Sequence, residues 1–244
     1  MKNKIKVAEY NFTAGNVEQT VLAFVSDLHD YPNDPILEIV ENSRADAVLV
    51  PGDFIHNSHV YERGIDFLRL SAQKKPTFCT LGNHERKFDG DIISLVNKTG
   101  AVLLDNKSVN FKGINLGGLT SGYKRGEKQR RLGATPAPDL VWLEEYSKQD
   151  GYKILMSHHP EYYVPYIKSL PIDLVLSGHA HGGQIRLFGR GIIAPGQGFF
   201  PKYTSGIYDE RLIVSRGIGN QFIVPRFNNS PEIIIIKING EESK

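Results

Sequence analysis

Residues 173–183, DLVLSGHAHGG, join a short apolar run to a turn rich in Gly and His. The run Asp173–Leu176 contains mostly Val and Leu and predicts a buried β-strand, and His179 and His181 follow it closely. Residues two apart on an extended segment point the same way, so both imidazoles can face one site. This stretch predicts a strand that presents two candidate metal ligands at its carboxyl end.

Four earlier apolar runs have the same character and also end in polar residues. Each holds four to six residues, mostly Val, Leu, Ile, Phe or Thr. The predicted strands are Thr20–Val25, Asp46–Val50, Thr77–Leu81 and Lys153–Met156. The segments that follow them are, in order, SDLH (26–29), PGD (51–53), GNHE (82–85) and SHHP (157–160).

Helical patterns lie between these strands, and the alternation predicts an α/β fold. Asp34 and Pro35 are typical of an N-cap and first-turn pair, opening a helix that reaches about Ser43. Val109–Leu119 predicts a strand pair, and the tail predicts further strands, which together indicate a second sheet packed on the first. The other predicted helices are Val60–Ala72, Asp89–Lys98 and Asp139–Lys148, and the predicted tail strands are Ile185–Phe188, Arg211–Ser215 and Glu232–Ile238.

Length and composition favour one domain over residues 1–244, because 40% of the 244 residues are hydrophobic and no linker is visible. The formal net charge of +2 does not favour nucleic-acid binding. The single cysteine, Cys79, excludes a disulfide framework within the chain. No signal peptide and no apolar run near the roughly 18 residues of a membrane span is visible, so we expect a cytoplasmic protein.

The polar residues after the five strands predict a metal site. In an open α/β sheet, ligands bind at the carboxyl ends of the strands. Oxygen and imidazole donors without thiolate suit Mn, Fe, Zn and similar divalent ions. Seven donors exceed the needs of one ion and fit two ions that share a bridging carboxylate. The candidate ligands are Asp27, His29, Asp53, Asn83, His158, His179 and His181.

This ordered set resembles the calcineurin-like metallophosphoesterase superfamily, whose pattern is Asp-x-His, Gly-Asp, Gly-Asn-His-Glu/Asp, a His, and Gly-His-x-His. The tail segments at 182–184, 214–217, 224–227 and 231–233 look like the bacterial branch typified by the phosphodiesterases YkuE and YaeI. The resemblance implies a four-layer α/β/β/α sandwich with two mixed β-sheets. It also implies a metal-dependent phosphoric ester hydrolase.

The resemblance implies a role for each candidate ligand. The first ion would be held by Asp27, His29 and His181, the second by Asn83, His158 and His179, and Asp53 would bridge them. His158 is preferred to His159 because the family's ligand stands two residues before a proline, here Pro160. His159 is then expected at the pocket rim or packed locally. His84 would be a catalytic residue near the leaving-group oxygen.

One position departs from the family pattern. Related enzymes often carry Gly-Asp-x-x-Asp, whose second Asp orients the catalytic His, and here that position is His56. The orienting partner of His84 therefore stays open. Glu85 either supports the site from outside or is structural, and His56 either lines the substrate entry or is a solvated loop residue.

The implied reaction is hydrolysis of a phosphodiester or pyrophosphate linkage by hydroxide that the two ions activate. Manganese is among the candidate metals, and a nucleotide-linked or lipid substrate is one interpretation. The alternatives are a cyclic-nucleotide phosphodiesterase or phosphomonoesterase of the same superfamily, and an inert metal-bound interaction scaffold. Substrate identity and oligomeric state stay open.

Two segments bear on a peripheral contact with lipid or membrane. Tyr123–Arg131 carries five basic residues against one acidic residue, which fits an anionic substrate or surface, or a solvated loop. Ile192–Tyr203 is apolar and rich in Gly and Pro, with Phe199 beside Phe200. This second segment fits either a lipid-touching loop or a buried return segment.

Overall fold

The computed structural model describes residues 4–124, 135–220 and 225–240, and its strands are numbered here in chain order. The first five strands are β1 (Lys6–Ala14), β2 (Thr20–Phe24), β3 (Ala47–Val50), β4 (Thr77–Cys79) and β5 (Val102–Leu103). They are followed by β6 (Lys107–Phe111), β7 (Ile114–Leu119), β8 (Tyr152–Ser157) and β9 (Leu174–Ser177). Four two-residue strands come next: β10 (Arg186–Leu187), β11 (Arg190–Gly191), β12 (Ile193–Ala194) and β13 (Gly198–Phe199). The last strands are β14 (Gly206–Tyr208), β15 (Leu212–Val214) and β16 (Glu232–Gly240).

The helices lie mostly between the strands of the first half. The α-helices are α1 (Asp34–Asn42), α2 (Glu62–Lys74), α3 (Asn83–Arg86), α4 (Ile92–Asn97) and α5 (Leu140–Ser147). Short 3₁₀ turns cover Pro160–Tyr162 and His181–Gly183, and a π-helical turn covers Tyr163–Ile167. None of these described helices has the length and apolarity that crossing a membrane requires.

The first sheet has the strand order β1-β16-β2-β3-β4-β5. Strands β2 to β5 run parallel, as expected for strands joined by helical crossovers. Strand β16 inserts between β1 and β2, parallel to the first and antiparallel to the second. The sheet is therefore mixed, and its middle contains residues from both chain ends.

The second sheet has the strand order β14-β15-β9-β8-β7-β6. Its four central strands are parallel, and the two edge strands β14 and β6 are antiparallel to their neighbours. Both sheets thus contain parallel strands whose carboxyl ends are followed by the candidate ligand segments.

Three apolar layers hold the elements together. Leu22 and Phe24 on β2 pack between the two sheets, whereas Ala23 on the same strand faces the α1 and α2 side, as the two-residue period of a strand requires. On the far side of the second sheet, Leu155 packs with Tyr146 of α5. The order of layers is helix, sheet, sheet, helix, which confirms the predicted four-layer sandwich with two mixed sheets.

The helix starts differ from the predicted ones by one to three residues. Asn33, and not Asp34, occupies the N-cap of α1, with Pro35 inside the first turn. Helix α5 begins after Asp139, whose Oδ1 accepts a hydrogen bond from the Trp142 backbone N–H at 3.0 Å. Helix α4 begins in the same way after Asp91 rather than at Asp89, because Asp91 Oδ1 accepts from the Ser94 N–H at 2.9 Å.

Candidate metal centre

Loops from the two sheets meet at one end of the sandwich. Asp27, after β2, accepts the backbone N–H of His179, after β9, on Oδ1 at 3.0 Å. His158, after β8, places its Nδ1 2.9 Å from the backbone oxygen of Pro51, after β3. These contacts cross from one sheet to the other. The candidate ligand segments of both sheets therefore form one site, as the sequence predicts.

One group of candidate ligands consists of Asp27, His29 and His181, all buried. The Nε2 atoms of His29 and His181 lie 4.0 and 3.6 Å from Asp27 Oδ1. Two atoms bound to one ion at about 2.0–2.2 Å are separated by roughly 3–4 Å. The spacing therefore fits a single divalent ion.

A second group consists of Asp53, His158 and His179, also buried. His158 Nε2 lies 3.0 Å from Asp53 Oδ2, and His29 Nε2 of the first group lies 3.9 Å from the same oxygen. One carboxylate oxygen thus faces imidazoles of both groups, which is the position a bridging ligand needs. Asn83 is also fully buried, and its side-chain N and O have no hydrogen-bond partner among the described residues.

Unpartnered buried atoms test whether these residues fit metal ions. Within the described ranges, His29 Nε2, both ring nitrogens of His179 and both polar side-chain atoms of Asn83 lack hydrogen-bond partners, whereas His158 Nε2 and Asp53 Oδ2 lie 3.0 Å from each other. Buried polar atoms without partners are costly in a protein, whereas metal coordination satisfies them. The donor set of carboxylate, amide oxygen and imidazole suits divalent Mn, Fe or Zn. The residues fit a metal centre.

The local electrostatics favour neutral, metal-binding imidazoles at three positions. Burial lowers the pKa of His29, His179 and His181 well below the usual value. Burial has the same tendency at His158, but the Asp53 carboxylate outweighs it and raises the His158 pKa to about 9. Burial likewise opposes ionisation of Asp53, and His158 outweighs it, so the pKa of Asp53 lies well below its usual range.

The backbone is strained at five of the seven candidate ligands. Their φ angles lie in the left-handed region, which residues other than Gly seldom adopt. The values are 53° for Asp27, 41° for His29, 51° for Asp53, 64° for His179 and 46° for His181. Each such residue costs on the order of 1–3 kcal/mol, and strain of this kind concentrates at functional sites.

Asn229 stabilises the strained turn that carries His181, and sequence reasoning missed it. Its buried Nδ2 donates to the backbone oxygens of His181 at 2.7 Å and Gln184 at 3.1 Å. A side chain at Gly182 would collide with Asn229 Oδ1, so this glycine is required by close packing. No motif marks Asn229, because its role depends on a tertiary contact across 48 residues.

His84 has a backbone partner instead of the expected carboxylate. Its Nδ1 is hydrogen-bonded to the backbone oxygen of His56, and its Nε2 lies 3.8 Å from Asp53 Oδ2. Since a carbonyl oxygen can accept but not donate, Nδ1 carries a proton and Nε2 faces the site. The His84 side chain is 15% exposed, so its ring is accessible to a substrate. The His56 backbone, rather than its side chain, holds the ring.

Glu85 has a structural role. Its Oε2 accepts the backbone N–H groups of Asp53 at 2.8 Å and Gly82 at 2.9 Å, and its Oε1 accepts that of Ile55 at 3.0 Å. Burial and the neighbouring Asp53 carboxylate raise the pKa of Glu85 to about 8. Glu85 therefore ties the turn that carries Asp53 to the turn that carries Asn83 and His84.

His159 is packed locally and does not reach the rim. Its side chain is fully buried, with Nε2 2.7 Å from Ser121 Oγ and Nδ1 3.3 Å from Glu161 Oε1. The same Glu161 oxygen lies 3.7 Å from His179 Nε2. Glu161 therefore faces two imidazoles, one of them a candidate ligand, and the sequence analysis did not single it out.

Of the two segments considered for lipid contact, the structure describes the second one and only the start of the first. Residues 125–131 of the basic segment lie outside the described residues. The same is true of Val224, which belongs to the tail pattern at 224–227. The segment Ile192–Tyr203 forms a hairpin of β12 and β13 in which Ala194 and Tyr203 are buried, whereas Phe199 and Phe200 are 65% and 78% exposed. The segment is therefore part core and part exposed apolar surface.

The comparisons with known proteins agree with this geometry. The family model described as calcineurin-like phosphoesterase matches residues 20–183, which contain all seven candidate ligands. The chain belongs to the calcineurin-like phosphoesterase family. The ordered ligand pattern read from the sequence identified this superfamily correctly.

Relatives in other bacteria extend the match beyond the motifs. An uncharacterised metallophosphoesterase of Campylobacter jejuni is 31% identical over 88% of this chain and 56% of its own length. The phosphodiesterase YaeI of Escherichia coli is 24% identical over 93% of this chain and 85% of its own length. YkuE of Bacillus subtilis is also a relative, so the predicted resemblance to this branch is confirmed.

One relative has a named lipid substrate. The UDP-2,3-diacylglucosamine pyrophosphatase LpxG of Chlamydia muridarum is 29% identical over 60% of this chain and 44% of its own length. The chain spans about half the length of the first curated relatives it matches, 54% and 56% in Helicobacter pylori and Campylobacter jejuni.

Proposed function

We propose that this chain, acting as a single domain over residues 1–244, is a dinuclear-metal-dependent phosphoric ester hydrolase. The observation that carries the proposal is Asp53 Oδ2, which faces the buried imidazoles of two adjacent ligand groups. In the proposal, the first ion takes Asp27, His29 and His181, the second takes Asn83, His158 and His179, and Asp53 bridges. Manganese, iron and zinc all match this donor set.

The chemistry divides between the ions and the protein. When bound, a pair of divalent ions supplies Lewis acidity and lowers the pKa of coordinated water towards neutrality. His84 is the proposed catalytic residue at the leaving oxygen. Because the His56 carbonyl holds its Nδ1 proton, His84 donates from Nε2 in the imidazolium form.

The relatives favour a phosphodiester or pyrophosphate linkage over a monoester. YaeI is named a phosphodiesterase, and LpxG is named a pyrophosphatase of a nucleotide-linked lipid. We extend these two linkage types to this chain. The inert-scaffold alternative is disfavoured because all seven predicted ligands are buried and six of them, all but Asn83, fall into groups of Asp and His that could hold a metal ion.

An exposed apolar surface supports peripheral contact with lipid. Phe188, Phe199 and Phe200 are exposed on the hairpins that follow the His181 turn. The hairpins are attached to this turn, because the Ile192 N–H donates to the Gly183 oxygen at 3.1 Å. Exposed apolar patches of this kind mark interaction sites. Liposome co-sedimentation of the F199S/F200S double variant tests this contact, and equal binding by wild type and variant would contradict it.

Hydrolysis of bis-p-nitrophenyl phosphate and p-nitrophenyl phosphate by metal-stripped protein tests the reaction. We expect the diester to be hydrolysed after addition of Mn²⁺, Zn²⁺ or Mg²⁺, and Asp53→Asn to abolish turnover. Glu145→Gln, an exposed carboxylate on α5, is the matched control and should retain activity. Absence of hydrolysis of both esters with every metal would exclude the proposed hydrolase activity on simple esters.

The role of His84 has its own test. His84→Ala should lower kcat strongly for an ester with a poor leaving group and weakly for one with a good leaving group, because a good leaving group needs no proton. An equal loss on both esters would exclude the acid role.

A further inference from the structure

An open groove of about 570 Å³ adjoins the metal centre. The metal-ligand candidate His29 is one of the residues that line it. The rest of its lining includes Tyr31, Pro32, His56, Val60, Asn220 and Pro231. This volume falls within the range of about 300–1,000 Å³ that is usual for small-molecule sites.

The groove lies on the His84 side of the site. The ring of His84 is 4.6 Å from that of His29 and 6.1 Å from that of His56, centroid to centroid. His29 and His56 both line the groove, and the His56 backbone holds the His84 ring. A phosphate whose leaving oxygen faces His84 therefore directs its leaving group towards the groove.

The lining selects against a charged leaving group. Tyr31, Pro32, Val60 and Pro231 present mainly carbon, and His56 and Asn220 add a few polar atoms. The wall also contains the Asp30 carboxylate, and no Lys or Arg is among the described residues that line it. Arg63 approaches Asp30 at 3.4 Å and is thereby already engaged. A second phosphate in this groove would therefore meet no Lys or Arg side chain among the described residues that line it.

We propose that this groove is the leaving-group subsite and takes an uncharged, ring-bearing alcohol, such as a phenol or a nucleoside, of a phosphodiester. The inference rests on the proposed function and narrows it, because it favours a diester over a pyrophosphate. In the reaction, the oxygen of water bonds to phosphorus and the bond from phosphorus to the leaving oxygen breaks. The leaving group departs as the alcohol with the proton that His84 donates, the attacking water releases a proton to solvent, and His84 regains its proton from solvent.

Val60→Trp tests the subsite by filling the groove. The surrounding turn depends on the Val60 backbone oxygen, which accepts the N–H groups of His56 and Asn57 at 3.1 Å, so the substitution leaves these bonds in place. Val141→Trp is the matched control, because Val141 is 71% exposed on α5 and outside the groove. The substrates are bis-p-nitrophenyl phosphate and ethyl p-nitrophenyl phosphate. p-Nitrophenol is the leaving group of both.

The two esters distinguish the leaving side from the retained side. We expect Val60→Trp to raise KM about tenfold for both esters with kcat nearly unchanged, and Val141→Trp to change neither. A rise in KM for the bis-ester alone would overturn the proposal, because the groove would then hold the group that stays on phosphorus. Unchanged KM values for both esters would also overturn it.

A binding measurement separates failure of this inference from failure of the proposed function. Saturation-transfer NMR with p-nitrophenol should show contact with the wild type and its loss in Val60→Trp, with or without added metal. Equal contact with both proteins would overturn the groove assignment. Absence of turnover by the wild type with every metal would instead count against the hydrolase itself.

Discussion

Replacement of Glu85 is the perturbation for which the structure allows the fullest prediction. The side chain is 1% exposed and accepts three backbone N–H groups, those of Asp53, Gly82 and Ile55. Glu85→Gln has nearly the same shape but offers one oxygen and one NH₂ group. The oxygen can take the place of Oε2 and keep two bonds. The NH₂ group must then face the Ile55 N–H.

The expected cost follows from this count. One buried donor left without a partner costs about 1–3 kcal/mol, so Glu85→Gln should lower the free energy of unfolding by that amount. Glu85→Ala leaves three donors without a partner and adds a cavity, so the loss should be at least about 3 kcal/mol. Because the domain's whole stability is about 5–15 kcal/mol, the alanine variant is close to the limit of folding.

Urea unfolding of the metal-free protein, followed by far-UV circular dichroism, measures both losses. The measurement is made at a pH above the Glu85 pKa of about 8, where the side chain is a carboxylate and both of its oxygens accept. Glu145→Gln is the matched control and should stay within about 0.5 kcal/mol of wild type, as surface substitutions usually do. Titration with Zn²⁺ should also show affinity lower by about 10–100-fold in Glu85→Gln, because the turns that carry Asp53 and Asn83 lose their tie. A Glu85→Gln protein as stable as the control would refute the idea that the Glu85 hydrogen bonds hold the Asp53 and Asn83 turns together.

Three further predictions concern other parts of the molecule. Asn229→Ala should lower Zn²⁺ affinity about 10–100-fold by releasing the strained turn of His181, while Asn97→Ala, exposed on α4, should not; calorimetric titration compares them. Cys79 should not react with Ellman's reagent in the folded protein, because burial raises its thiol pKa, and reaction at the rate of a free thiol would contradict this. Phe24→Ala should destabilise the fold by about 3–5 kcal/mol in urea, because Phe24 is fully buried between the sheets; a loss below about 1 kcal/mol would contradict the packing.

The sequence predicts the parts of the fold that repeat a local pattern. Strands β2, β3, β8 and β9 are short apolar runs with polar or turn-forming residues directly after them, so apolar content and flanking residues suffice to predict them. Strand β1 was missed because half of its residues are exposed, and it is extended through its pairing with β16. Strand β5 has two residues and exists through its pairing with β4.

In the site, too, the residues that follow a local pattern could be predicted and the others could not. The seven candidate ligand positions could be predicted from the strand ends, since parallel strands bring their carboxyl ends to one edge. The partner of His84 could not be predicted, because a backbone oxygen carries no signature of residue type. The roles of Asn229 and Glu161 could not be predicted from the sequence for a related reason. Each acts through a contact between chain segments that no spacing rule connects.

The central position of β16 in the first sheet affects how the protein is made. This strand pairs with β1 and β2, yet its residues 232–240 follow residues 20–24 of β2 in the sequence by more than 200 positions. At about 5–20 residues per second, translation from Asp27 to Gly240 takes roughly 10–40 s. During that interval the Asp27 segment is already synthesised, but the edge of β2 that pairs with β16 has no partner. We therefore expect the site to bind metal only after β16 has been synthesised and has paired with β2.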